Sequence, residues 1–340
     1  MSELRTAAAL YLTSRGIETQ TVNQAFGAVS WPATGTHFYH SRHEIVAQIL
    51  RELSLGNDRP MAKDLAETLA AKFICYAGIL HTRHGENANK PDKHVNPGYA
   101  RIFEELKLFP GRMAIAVNYS DLSGTERIDA PWKNGLRRLI FVSDMSDALS
   151  RAVSLEYLRD EVIAQVTSEK GRRHIWLWLT KRPARMARFA QWLESDGIVW
   201  PENLMAMTSV TGATTMGRVS QLPGVPASLR GLSVEPLTSA VQIPLAGIDW
   251  VIVGGQSGPR AQPFDLAWAR DIMQQCRERN VPLFVKQFGS APFLNGEPIH
   301  LQDGHGGDWQ EWPEDLRCRE FPEAFRPSVQ AVSSPAAGAS

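Results

Sequence analysis

Residues 174–197, HIWLWLTKRPARMARFAQWLESDG, hold one full unit of the pattern that decides the fold. HIWLWL is apolar without alternation, as a strand buried on both faces of a parallel sheet must be. Thr180, Lys181 and Arg182 end it. Pro183 then opens an amphipathic helix predicted to reach Glu194, at a position where proline's missing N–H costs nothing. The same grammar recurs in RLIFVS (138–143), LMAMTSV (204–210), LRGLSV (229–234), WVIV (250–253) and PLFV (282–285). Further helical patterns cover residues 154–168 and 266–279. Short β-rich runs alternating with helices predict an α/β fold, a partial six-stranded parallel (β/α) barrel, rather than a doubly wound sheet. No GxGxxG follows the first strand, so the usual dinucleotide fingerprint is absent.

Parallel barrels bind and react beyond the C-terminal ends of their strands. Those ends are polar here. Ser143, Asp144 and Asp147 follow the first strand, and Thr180, Lys181 and Arg182 the second. Thr208 and Ser209 close the third, Glu235 the fourth, Gly254, Gly255, Gln256 and Ser257 the fifth, and Lys286 and Gln287 the sixth. One polar residue after a strand is usually a helix cap; six strands ending this way suggest a site. GGQSG (254–258) has two readings: a backbone cradle for phosphate or carboxylate, or a tight turn needing positive φ, which motif specificity favours. Between Lys170 and Arg188 stand seven basic residues and no acidic one. They straddle both ends of one strand. Lys181, Arg182, Arg185 and Arg188 suit a small phosphate site, and Lys170, Arg172 and Arg173 a solvated turn.

Outside this core, residues 1–60 read as a helical extension. Ala7, Ala8, Leu10 and Tyr11 begin a pattern stopped at Gly16, Thr21 caps a second helix, and Ser41 with Glu44 forms a capping box before Ile45, Ile49 and Leu50. This arrangement permits a helix-turn-helix, making DNA a candidate partner of residues 1–55, or else a helical cap on the main domain. Its balanced charges favour the cap. The barrel is expected over 65–326 and a disordered Ser/Pro/Ala/Gly tail over 327–340. Thirty-six basic and 36 acidic residues give zero net charge, which argues against a nucleic-acid coat. No apolar run approaches the ~20 residues of a membrane span. No signal-peptide pattern opens the chain, and three scattered cysteines exclude a disulfide framework, so a cytoplasmic protein is expected. His37, His40 and His43 are spaced by three, but they straddle a helix start and read as surface histidines rather than metal ligands.

The strand-end motifs form a series that resembles the phage-associated gene-product thirty-seven/sixty-eight family, a domain family of unknown function related to radical-SAM barrels. CYA (75–77), NPGYARIFEELKLFPGRM (96–113), IFVSDMSD (140–147), LTKRPARM (179–186), LSVEPLTSAV (232–241), DWVIVGGQSGPRAQPF (249–264), VPLFVKQFG (281–289) and DWQEWPEDLRCREFP (308–322) carry it. The resemblance implies three clustered cysteines holding a 4Fe–4S cluster and a site for S-adenosylmethionine (SAM). Cys75 matches the last of them. Lys72 and Thr36 stand where the others belong, and neither can replace a thiolate. Gly78 and Gln256 replace acidic residues usual in the family. The expectation is a phage- or plasmid-type barrel that has lost or altered its cluster and binds SAM, a nucleotide or a related small anion. Asp144, Asp147 and Glu235 are expected to bind a ribose or amine, and Lys181, Arg182 and Lys286 an anion. Ser143, Thr180, Ser209, Gly254, Gly255, Gln256, Ser257 and Gln287 line the same site. If catalysis persists, Glu235 and Asp144 are the acid–base groups and Lys286 the electrostatic stabiliser. The opposing expectation is a DNA-binding regulator with a ligand-sensing barrel, and a protein partner is compatible with either.

Overall fold

The computed structural model describes residues 2–28, 46, 48–55, 60–61, 65, 106–143, 146–258 and 261–327. The chain forms two compact units, residues 1–109 and 110–340. The expected boundary at 60–65 falls largely outside the described residues, as do the capping box at Ser41, the loop at 85–97 and the tail at 328–340.

In the first unit α1 (Ser2–Ser14) and α2 (Thr19–Ala28) are joined by a turn. Gly16, at φ 85°, ends α1: its N–H donates to Thr13 O (3.0 Å) and that of Ile17 to Leu12 O (3.2 Å). These two bonds satisfy carbonyls that the helix leaves unpaired, and only glycine adopts the left-handed turn without strain. Helix α2 begins two residues ahead of the expected Thr21 cap. Ala8, Leu12, Val22, Phe26, Val46, Ile49, Leu50 and Leu65 bury a separate apolar core.

The second unit opens with α3 (Arg112–Val117), a 3₁₀ turn (Pro131–Lys133) and β1 (Leu139–Val142). A helical stretch follows, α4 (Leu155–Leu158), a π turn (Arg159–Ile163) and α5 (Ala164–Thr167), capped by Ser154 accepting the Tyr157 N–H at 3.1 Å. Next come a 3₁₀ turn (Gly171–Arg173), β2 (Ile175–Thr180), α6 (Pro183–Ser195), β3 (Leu204–Ser209), a 3₁₀ stretch (Ala213–Gly224) and β4 (Arg230–Val234). The chain continues through β5 (Trp250–Gly254), β6 (Phe264–Asp265), α7 (Leu266–Glu278), β7 (Leu283–Gln287), β8 (Pro292–Leu294) and β9 (Glu297–Pro298).

Six strands pair in the order β1-β2-β3-β4-β5-β7, every pair parallel. Strands added successively in one direction curl the sheet into a half-barrel. Strands β6, β8 and β9 make a small separate sheet. Alternate side chains divide the core. Trp176, Trp178, Ala206, Leu232, Val251 and Val285 pack with α6 and α7, where Met186, Phe189 and Met273 are buried. Ile175, Leu177, Met205, Met207, Trp250 and Ile252 occupy the opposite face. Trp178 lies between Phe189 (5.7 Å) and Trp200 (5.9 Å), and the strand runs are apolar throughout because both faces are covered.

The half-barrel is finished by its C-terminal segment. Residues 318–320 run antiparallel along β7: Val285 N–H donates to Cys318 O and Glu320 N–H to Leu283 O, both at 2.8 Å. Trp250 Nε1 then donates to Glu320 O (2.9 Å), and Phe325 is fully buried with its ring 5.2 Å from that of Trp250. At the far side Arg137 N–H donates to Phe325 O (3.0 Å) and Arg326 Nη1 to Asn134 O (3.0 Å). This strap crosses the N-terminal ends of the strands from β7 to the approach of β1. Among the described residues no helix is long and apolar enough to cross a membrane.

Phe325→Ala empties a closed site on Trp250 and is expected to destabilise the second unit by about 3–5 kcal/mol. Urea unfolding followed by tryptophan fluorescence measures it.

Candidate functional site

Two groups of charged side chains stand at the C-terminal ends of the strands. The first is built on Asp147. Its carboxylate accepts from Thr180 Oγ1 (2.9 Å), the Lys181 N–H (3.1 Å) and the Leu149 N–H (3.1 Å), and pairs with Arg182 Nη1 at 3.0 Å. Thr180 Oγ1 in turn accepts the Arg182 N–H at 2.9 Å. Asp147 is thus saturated by its own chain. It positions the end of β2 and the Arg182 guanidinium. Half-buried carboxylates of this kind are retained where their lone pairs have partners.

Arg218 joins this group and was missed in the sequence. The 3₁₀ stretch after β3 folds back, pinned by Thr215 Oγ1 accepting the Thr211 N–H at 2.8 Å, and brings Arg218 Nη1 to 2.9 Å from Ser209 O. Burial pushes the Arg218 guanidinium down from its ordinary value; Asp147 opposes that shift and Arg182 adds to it. Arg185, on α6, donates to Val153 O (2.6 Å) and is pushed down by burial, then by the charges of Arg188, Arg182 and Arg151. Three half-buried guanidiniums therefore surround one carboxylate, and the surplus is positive. One signal was present in the sequence: Arg218 is the lone charge between Glu202 and Arg230.

The second group spans β4, β5 and β7. Glu235, one residue beyond β4 and followed by a cis bond to Pro236, accepts from Ser233 Oγ (3.0 Å) and pairs with Lys286 Nζ at 2.9 Å. The Glu235 side chain is 17% exposed and that of Lys286 52%, so the lysine remains open to a ligand. Gly254 lies between their strands, and a Cβ there would stand 3.0 Å from Glu235 Oε1. The glycine leaves the room across which the pair forms.

The GGQSG loop is a packed turn. Gln287 Nε2 donates to Gly255 O (3.2 Å) and Ser257 Oγ (2.9 Å), and Gly258 N–H to Ser290 Oγ (2.9 Å). Gln256 Oε1 accepts the Gln262 N–H at 3.2 Å, and a Cβ on Gly255 would fall 2.1 Å from Phe288 O. Helix α7 starts beyond the loop under its own cap, Asp265 accepting the Ala267 N–H at 2.8 Å. Gln287 thus holds Gly255 and Ser257, while Gln256 is tied to Gln262. Ser143 takes φ 62° at the end of β1, a left-handed conformation costly for serine, and Ser209 is buried at the end of β3. Asp144 lies outside the described residues.

A 4Fe–4S cluster does not fit the cysteines of this chain. Cys276 is buried in α7, and Cys318 donates to Leu283 O (3.3 Å) at the N-terminal end of β7, away from the polar strand ends. Burial pushes both thiols up to about 12, so neither supplies a thiolate near neutrality. Cys75 lies outside the described residues and is one ligand where three are needed. Among the described residues no cluster of three or more His, Cys, Asp or Glu side chains is arranged to hold a metal ion.

Fold and strand ends together define a parallel half-barrel with an arginine-rich rim beside a Glu–Lys pair. Residues 71–313 match the model of a protein family of unknown function, DUF5131, and the chain belongs to that family. The rim and the Glu235–Lys286 pair lie inside the matched span, and the strap lies beyond it. No curated protein and no solved structure matches the chain.

Maleimide labelling of the native protein at neutral pH, with peptide mapping, is expected to leave Cys276 and Cys318 unmodified and to modify both after denaturation.

Proposed function

We propose that this protein is a small-molecule-binding half-barrel of phage or plasmid type, akin to radical-SAM barrels but without their cluster. Its ligand carries a phosphate or carboxylate. The observation that carries this reading is the return of Arg218 to the end of β3, beside the Arg182–Asp147 pair, where guanidinium charge exceeds carboxylate charge. Arginines fixed in a partly buried site bind oxyanions through paired N–H groups without reorganising. Lys286 supplies a second cation, and Glu235 accepts hydrogen bonds from ribose hydroxyls or an amine on the same ligand. Neighbouring strands stand about 4.8 Å apart, so the ends of β2 and β4 are separated by about 10 Å, a span that suits a nucleotide. SAM meets the same requirements with its carboxylate, amine and ribose. If a reaction takes place, Glu235 and Asp144 are its acid–base groups in this reading and Lys286 stabilises the charge that develops.

Isothermal titration with pyrophosphate, AMP and SAM tests this reading. Arg218→Gln is expected to weaken binding of every anion by about tenfold or more. Glu235→Gln is expected to weaken AMP and SAM but not pyrophosphate. Binding unaffected by Arg218→Gln, or no binding of any of the three, overturns the reading.

A second reading has its own observation. The first unit has an independent core, and α2 exposes Gln20, Thr21, Asn23 and Gln24, uncharged donors and acceptors of the kind that read base edges. This supports a DNA-binding head whose barrel senses the ligand. A mobility shift on duplex DNA that weakens steeply with salt is expected if it holds, and no shift at low salt rejects it.

A further inference from the structure

The opposite end of the sheet carries charge that neither reading uses. Arg137 and Arg138 lead into β1, and Lys170, Arg172 and Arg173 lead into β2 through the 3₁₀ turn. Each is anchored on an uncharged acceptor. Arg137 Nη2 donates to Ala324 O (3.0 Å), Arg138 Nε to Ser120 O (2.8 Å) and Lys170 Nζ to Asn118 Oδ1 (2.7 Å). Arg172 Nε donates to Thr167 O (2.8 Å) and Arg173 Nε to Lys170 O (3.2 Å). Among the described residues no carboxylate lies within ion-pair distance of any of the five.

Four acidic residues share these segments: Asp121, Glu126, Asp129 and Glu169. Asp121 attracts Arg137 and Arg173, but its carboxylate already accepts the Ser123 N–H at 2.9 Å. Arg127 extends the patch: it donates to Leu136 O (3.2 Å), and burial, then the charge of Arg138, pushes it down. A guanidinium held through one or two of its five N–H groups keeps the others for a ligand. In a chain of zero net charge, this is a local surplus of cations fixed on backbone oxygens.

Beside them stands an aromatic ring in the open. Tyr119 is 47% exposed, and the Arg138 guanidinium lies 5.5 Å from its ring centroid. Fixed cations along a surface with an exposed, arginine-stacked ring are the elements by which proteins hold unpaired strands: phosphates on the cations, a base on the ring. We propose that the strand N-terminal end of this half-barrel binds single-stranded nucleic acid, with phosphates along Lys170, Arg172, Arg173 and Arg138 and a base stacked on Tyr119. The site uses none of the residues of the ligand site proposed at the other end of the strands and none of α2.

Fluorescence anisotropy of the full chain with a labelled oligothymidylate of about 20 nucleotides tests it, between about 50 and 200 mM salt. The wild-type protein is expected to bind and to weaken steeply with salt. Lys170→Glu with Arg172→Glu is expected to weaken binding by about tenfold or more and to reduce the log–log salt slope by about 1.4, two phosphates' worth. Tyr119→Ala is expected to weaken binding by about fivefold or more with the slope unchanged. Circular dichroism melting checks that the variants fold. Three results overturn the proposal: no oligonucleotide binding, binding indifferent to the double variant (the outcome if α2 does the work), or binding only to phosphatidylserine vesicles.

Discussion

A parallel sheet that stops at six strands has two edges, each with backbone N–H and C=O groups that no further strand pairs. It also has an inner face too apolar to meet water. Everything else in the second unit depends on how that is resolved. The answer is a strap without regular secondary structure of any length. Residues 318–320 pair with β7, Trp250 donates to Glu320 O, Phe325 covers Trp250, and Arg137 meets Phe325 O beside β1. Arg319 fastens the crossing from outside: its guanidinium lies 4.2 Å from the ring centroid of Trp132, 5.0 Å from Trp309 and 5.2 Å from Trp312. Trp132 precedes β1 and Trp309 follows β7, so this one cation bridges the two sides of the gap.

Closing the sheet at the N-terminal ends leaves the other ends to polar chemistry. Strand alternation alone puts Ser233, Glu235, Gly254 and Lys286 on the face opposite the helices, and glycine at 254 lets the outer two meet across the strand between them. At β2 the logic differs. Asp147 reaches over from the segment after β1 and takes two donors from residues 180 and 181 as well as the Arg182 guanidinium, so the loops after β1 and β2 are locked to each other. In one group the lysine is open, and in the other the carboxylate is taken up by its own chain while guanidinium charge is left over.

Much of the sheet was legible from residue type alone. All six runs became strands, each within two residues of its expected bounds, because unbroken apolar segments between helices have few alternatives to a doubly covered parallel sheet. Glu235 and Lys286 could be assigned to strand ends for the same reason, and the structure pairs them. What could not be read depended on distance in the chain. The partners of Asp147 at residues 180–182 lie 33 to 35 positions away, and neither the Gln287–Ser257 bond nor the Gln256–Gln262 bond leaves a mark in the sequence. Arg218 escaped because its stretch is 3₁₀ rather than α-helical and follows no period of 3.6. The strap escaped because it has no period at all. Of the described cysteines, Cys276 is buried in α7 and Cys318 is half-buried beside β7, places that packing rather than ligation accounts for.

The strap also sets a timetable. Ala324 and Phe325 seal the sheet against residue 137, and 187 positions separate Arg137 from Ala324. A chain made from its N-terminus can lay down the strands one after another, each beside the last, yet the half-barrel stays unsealed until residues 318–326 have been made. During synthesis Trp250 and the edge of β7 wait uncovered, as a template for wrong pairing. A premature stop just ahead of residue 318 spares every strand of the described sheet and every charged group at their C-terminal ends. It nonetheless leaves a nascent barrel that chaperones must shield and proteases can find.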